Sequence, residues 1–287
     1  MNGAGAVARY TLIELSRRRI LLVFFVLGAA GTLLLGVGLK VLYSLSGNIT
    51  TNQDPAKLQK FLELSFLSDL YGALGIFALL IAYAIGMTAI YHDLESGAAV
   101  SIFSKPVSRL AFSAGKVVAA VAALIVIVGL LALEARLVML LFDGGLAGSL
   151  TGEILATMAN SVVVMLLVLA LSTWMNNIVA AIVAFVYYNV ITGVISAVHG
   201  LADSGAFNND LVKGVFDVLY WTVPHALVSS APGDLVRAQV QLSNTPRGSQ
   251  TFVFIPAASG FGDIAWWLFF IVLFAGLVYL AVRRRQV

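Results

Sequence analysis

Cysteine is absent from this 287-residue chain, which excludes disulfides, thiolate metal sites and iron–sulfur clusters. Charge is scarce too: only 11% of residues are Asp, Glu, Lys or Arg, far below the share that keeps a soluble domain hydrated. Three histidines occur, His92, His199 and His225, dispersed without metal-ligand or zinc-protease spacing, so they read as polar boundary residues and no metal site is expected. No Gly-x-x-x-x-Gly-Lys-Ser/Thr phosphate loop is present, so the chain does not bind ATP in the P-loop manner. Gly3-x-Gly5 and Gly144-Gly145 lack the strand-and-helix setting of a phosphate loop. There is no polybasic run pointing to nucleic acid, no internal repeat and no low-complexity segment.

What the chain has instead is apolar length. Its mean hydropathy is +0.98, with 60% hydrophobic residues, a balance whose solvent is lipid. The pattern predicts an all-α membrane protein with six transmembrane helices at about Ile20–Ser44, Ser68–Tyr91, Lys116–Phe142, Glu153–Trp174, Ile178–Val198 and Ile264–Val282. Each is near the length that crosses about 30 Å of hydrocarbon. No soluble catalytic domain fits beside them, and residues 1–287 read as one transmembrane domain. Ile20–Tyr43 is too long for a signal-peptide core and is followed by no small-x-small cleavage site, so it reads as a retained first span.

An even number of spans puts both termini on one side. That side carries ten basic residues, Arg9, Arg17, Arg18, Arg19, Lys105, Arg109, Lys116, Arg283, Arg284 and Arg285, against five on the other, Lys57, Lys60, Lys213, Arg237 and Arg247. The bias of basic residues toward the inside then places both termini and the Asp93–Arg109 loop in the cytoplasm of a multi-pass inner-membrane protein, with the Asn48–Lys60 loop outside.

Between the spans the sequence is also informative. From Ala6 to Arg19, Val7, Tyr10, Leu12, Ile13 and Leu15 fall largely apart from Arg9, Glu14 and Arg17, which predicts an amphipathic helix lying in the membrane interface. Met175-Asn176-Asn177 is a tight polar turn that makes spans four and five a hairpin. Both carry small residues, among them Ala170, Ala180, Ala184 and Ser196, that allow close helix packing. Gly200–Asp263 is too apolar for a solvated loop and too interrupted for a span. Within it Asp210, Lys213 and Asp217 form a polar stripe opposite Leu211, Val215 and Val218, predicting an interfacial or part-inserted helix before Pro224. Asn244–Ser249 reads as a turn and Thr251–Ile255 as a short strand.

Lys40, Glu134 and Arg136 are the charged residues deep in the spans, and such residues are functional candidates. Counting about 1.5 Å per residue from the basic side puts all three about 27–30 Å up, near the opposite headgroups. Snorkelling or a Lys40–Glu134 ion pair accounts for them; the alternative is an outer vestibule that meets a charged substrate. Glu134 and Arg136, about 200° apart on a helix, do not share one face.

The long loop between spans two and three runs Tyr91-His-Asp-Leu-Glu-Ser-Gly-Ala-Ala-Val-Ser-Ile-Phe-Ser-Lys-Pro-Val-Ser-Arg109, with Lys116 beyond it. It combines an acidic turn, a glycine, a short apolar run stopped by proline, and a basic exit. This loop resembles the first cytoplasmic loop of ABC-2 type permeases, the membrane subunits of ABC exporters, and Ser-Lys-Pro-Val-Ser-Arg is similar to the group that includes the multi-copper enzyme maturation permease. Ala98 departs from the family's usual Thr.

The resemblance implies an N-terminal elbow helix, a cytoplasmic coupling helix that seats in a groove of an ATPase, and external re-entrant helices before the last span. Asp93, Glu95, Gly97, Pro106, Arg109 and Lys116 are the positions implied to couple. It also implies a subunit that is not itself an enzyme. Two copies of a separate ATPase would carry ATP and Mg, and a second permease copy, identical or a close paralogue, would complete an exporter in the bilayer. The competing readings lack support in the spans. An intramembrane enzyme needs catalytic His, Asp or Glu near the midplane, and an ion-coupled carrier needs buried carboxylates or matched broken helices.

Overall fold

Hydrocarbon offers no partner to a backbone amide, so a chain this apolar closes its hydrogen bonds within helices. The computed structural model describes residues 2–46, 55–95, 107–140, 147–203, 209–242 and 257–284, and among these it is helical without strands. The elements are α1 (Asn2–Ser16), α2 (Arg19–Ser46), α3 (Pro55–Thr88), α4 (Tyr91–Glu95), α5 (Arg109–Leu140), α6 (Ala147–Ser172), α7 (Asn177–Phe185), a π-helical stretch (Val186–Thr192), α8 (Gly193–Asp203), α9 (Asp210–Tyr220), α10 (Ala231–Leu242) and α11 (Phe261–Arg284). Six segments are long and apolar enough to cross a membrane: Arg19–Gly38, Phe66–Asp93, Arg109–Val138, Thr151–Ser172, Asn177–Ala202 and Phe261–Arg284. The fifth runs through α7, the π stretch and α8 without a break.

The centre of the bundle is the parallel pair α3 and α6, 56% buried along their spans, while α2, span five and α11 are 22% buried. Large apolar side chains therefore line the outside, such as Leu34, Ile182, Val194 and Val272, as they do where lipid is the solvent. Small side chains set how close the central pair comes. A Cβ at Gly86 of α3 would lie 2.7 Å from Val168 Cβ and 2.9 Å from the Met165 carbonyl of α6. Ser172 Oγ reaches back to the Gly86 carbonyl at 3.4 Å.

The expected hairpin is present: α6 ends at Ser172, and Asn176 caps α7 by accepting from Ile178 N at 2.9 Å. Ala170, Ala180 and Ala184 are buried in it. The π stretch has no counterpart in the sequence reading. Its wide turn is braced by Thr192 Oγ1, which donates to the Tyr187 carbonyl five residues back at 3.0 Å, and it turns Tyr188 and Thr192 into the bundle.

Two boundaries differ from those expected. Helix α3 begins at Pro55, inside the segment read as the Asn48–Lys60 loop. Helix α5 begins at Arg109, so Lys116 lies about two turns inside it and does not open it. Among the segments before α11, α9 matches the predicted amphipathic helix, with Asn209 Oδ1 accepting from Leu211 N at 3.0 Å as its cap. Helix α10 was not expected; it buries Ala231 and Leu235 against Phe66, Leu67 and Leu70 of α3. The expected turn at Asn244–Ser249 and strand at Thr251–Ile255 lie outside the described residues.

The α3–α6 seam gives a direct test. Gly86→Ala should lower the thermal midpoint in detergent, an overpacking cost of about 1–3 kcal/mol. Gly72→Ala, on the same helix with nothing within 4 Å of its Cβ, should leave the midpoint unchanged or raise it; equal behaviour of the two variants would contradict the packing described.

Candidate functional site at the basic end of the bundle

Both described chain ends meet at one end of the bundle. Val7 of α1, Phe112 of α5 and Val282 of α11 form a small buried cluster. The Arg109 guanidinium donates to the Arg283 carbonyl at 2.5 Å, a cation placed where the last carbonyls of α11 lack helical partners. Arg284 lies over the Trp174 ring at 6.0 Å, so the α6–α7 turn belongs to this end too.

Helix α1 lies along α5 because Val7, Thr11 and Leu15, at four-residue spacing, make a buried stripe. Gly115 permits the approach: a Cβ there would sit 2.7 Å from the Ala4 carbonyl and 2.9 Å from Val7 Cβ. One residue on, Lys116 is fully buried, at 0% exposure.

An ammonium in such a place needs partners. Lys116 Nζ is ion-paired with Asp93 Oδ2 of α4, and Glu14 Oε2 of α1 lies 3.5 Å away. The Tyr10 and Phe112 rings stand 5.8 and 6.0 Å from the same nitrogen, within cation–π range. Asp93 is itself only 3% exposed, and Glu14 also pairs with Arg18. Arg18, Glu14, Lys116 and Asp93 thus form a charge-balanced chain that joins three helices. Beyond it Glu95 is exposed at the end of α4, where the Tyr91 hydroxyl donates to its Oε1 at 3.1 Å.

Of the residues singled out from sequence, Asp93 and Lys116 are brought into contact, Arg109 is engaged with α11, and Glu95 faces out. Gly97 and Pro106 lie outside the described residues. Glu14 was expected on the free polar face of an interfacial helix and instead turns toward Lys116. Its signal was available: it is the only acidic residue before Asp54.

Glu134 and Arg136 lie toward the far end. Glu134 is half-buried with its carboxylate toward Thr32 of α2, while Arg136 is exposed, so the two do share no face. The side chain of Lys40, and with it the expected Lys40–Glu134 pair, lies outside the described residues.

The histidines at that end are not isolated boundary residues. Tyr220 is stacked between His199, at 4.1 Å, and His225, at 3.8 Å. His225 Nε2 is 3.0 Å from Asp263 Oδ1, which also accepts from the Tyr220 hydroxyl at 3.2 Å. Burial pushes the His225 imidazole below its usual titration range, outweighing the Tyr220 carbonyl and the Asp263 carboxylate. Residues 223–230 cross the far end as a strap without regular structure. Asn160 pins it by pairing with both the Leu227 N–H and carbonyl, at 2.8 and 2.9 Å. Ser229 Oγ donates to Glu153 Oε2 at 2.5 Å. Among the described residues no group of three His, Asp or Glu could hold a metal ion.

No protein-family model matches the chain, and no curated protein matches it.

Removing one partner of the buried pair should cost far more than removing both. Lys116→Met leaves the Asp93 carboxylate buried and unpaired, at a cost of about 3–5 kcal/mol. Lys116→Met combined with Asp93→Asn should recover much of the lost thermal midpoint, a coupling that strict additivity of the two substitutions would contradict.

Proposed function

We propose that this chain is the membrane permease subunit of an ABC exporter, with the basic end in the cytoplasm. The observation that carries the reading is the Lys116–Asp93–Glu14 cluster, supported by the resemblance of the Tyr91–Arg109 loop to that of ABC-2 permeases. A membrane subunit driven by an ATPase needs a stiff link between the loop that the ATPase pushes and the helices that move. Here α4, the first part of that loop, is tied through Asp93 to α5 and through Glu14 to α1, while Glu95 faces outward for a partner.

In this scheme α1 is the elbow helix, and the loop from Asp93 to Arg109 holds the coupling helix, with Gly97 and Pro106 shaping it. Helices α9 and α10 are the external segments before the last span. ATP and Mg are bound by two copies of a separate subunit, since the chain has no phosphate loop. Two copies of the permease, or this chain with a close paralogue, enclose the path. Closure of the ATPases shifts the loops, and rigid helices carry that movement toward the midplane, where the cargo passes outward. The exposed apolar faces of α2 and span five supply surface for lipid and for the second permease.

Purified from its native membrane, the tagged chain should bring with it a P-loop ATPase in equal copy number and ATP hydrolysis activity. Glu95→Lys, which reverses the outward charge, should release that ATPase or uncouple its hydrolysis from transport while the chain still inserts and keeps its thermal midpoint. Transport by the chain without any ATPase, or normal coupling in the variant, would contradict the proposal.

A further inference from the structure

A cavity of about 270 Å³ lies between α3, α6 and the π-helical part of span five, with Ala226 of the strap in its lining. Tyr188 is about 16 Å along span five from Asn177 and Ser196 about 28 Å at ~1.5 Å per residue, so the cavity reaches from the middle of the bundle toward its far end. Its polar wall is Thr157, Asn160, Ser161, Tyr188, Asn189, Thr192 and Ser196, and among the described residues no Asp, Glu, Lys, Arg or His lines it.

Most of those groups are already engaged. Asn160 is paired with the Leu227 backbone, Ser161 Oγ donates to the Thr157 carbonyl at 2.8 Å, Thr192 to the Tyr187 carbonyl at 3.0 Å, and Asn189 Nδ2 to the Tyr83 hydroxyl at 2.7 Å. Two are not: Tyr188 Oη and Ser196 Oγ are buried and have no hydrogen-bond partner among the described residues. Tyr188 is only 7% exposed. The π stretch directs it inward, since a wide turn changes which residues of a helix share a face. The space beside it is kept open by Gly75 and Gly193, where an added Cβ would meet nothing within 4 Å. Gly193 is exposed beside the outward-facing Ile191 and Val194, so the opening is sideways, on the apolar flank of span five.

We propose that this cavity binds a small uncharged amphiphile that enters from the bilayer and is recognised by the Tyr188 and Ser196 hydroxyls. An ion is excluded because the wall offers no counter-charge in a low-dielectric site. The ligand carries an apolar body to match Leu79 and Ala226 and one or two hydroxyl or carbonyl groups for the free hydroxyls. The inference stands on this wall alone and does not depend on an ATPase partner.

The full chain in lipid nanodiscs is irradiated with 4-(hydroxymethyl)benzophenone, an uncharged photoreactive probe with one hydroxyl and one carbonyl, and adducts are mapped by peptide mass spectrometry. Saturable labelling of residues 157–161 and 188–196, displaced by excess diphenylmethanol and not given by the charged 4-benzoylbenzoate, supports the site. Gly193→Leu, which fills the space, should abolish those adducts. Tyr188→Phe with Ser196→Ala should weaken half-saturation by up to about tenfold, the loss of hydrogen bonds to a bound ligand. Without probe this double variant should keep the wild-type thermal midpoint, because neither hydroxyl bonds another described residue. If Gly193→Leu does not fold, the double variant decides the matter by its half-saturation. Non-saturable labelling spread over α2 and α11, adducts unchanged in both variants, or a large loss of thermal midpoint in the double variant would overturn the proposal.

Discussion

A fully buried lysine is the constraint around which one end of this protein is organised. Apolar helices slide and rotate against one another at little cost, because lipid is as good an apolar neighbour as another helix. An ammonium shut away from water has far fewer acceptable surroundings. Lys116 requires a carboxylate within reach, and Asp93 supplies it only if the chain turns back at Ala89–Ile90 so that α4 lies against α5. Glu14 reaches the same nitrogen only if α1 lies close along α5, which Gly115 allows. Such a pair adds little net stability over apolar packing, but misplacing one partner is expensive, and so it selects one arrangement of three helices.

The two ends of the bundle use different chemistry. At the basic end, ion pairs and arginine contacts to carbonyls join the chain termini to the loop after span two. At the far end, aromatic stacking through Tyr220, indole hydrogen bonds from Trp266 to the Val223 carbonyl at 3.2 Å and from Trp267 to the Ala159 carbonyl at 2.9 Å, and the Asn160 latch hold a strap that has no regular structure. Amphipathic indoles are suited to the border between lipid and water. The α3–α6 pair joins the two ends, packed closely near Gly86 and parted near Gly75 where the polar cavity begins.

The six spans were legible because length and hydropathy dictate them, whatever the tertiary packing. Their ends were less so: α5 continues down to Arg109, and apolar residues such as Phe112 on the turn before Lys116 are buried by α1 and α11, which hydropathy along one strand of sequence does not reveal. Lys116 was picked out as a loop-side position, yet its pairing with Glu14 spans 102 residues, and no local period encodes it. His225 and Asp263 meet because the strap folds back, and α10 is too polar to stand out in a hydropathy profile. The π stretch rests on one extra residue in a turn, for which Val186–Thr192 carries no sequence signature.

The proposed function requires the Lys116 cluster and the α4 surface to lie on the cytoplasmic side, and the lack of native cysteine makes that proposal directly measurable. Glu95→Cys, exposed on α4, is treated with a membrane-impermeant maleimide in intact cells and in inside-out vesicles. The account predicts labelling in the vesicles and none in the cells; labelling in intact cells would contradict it.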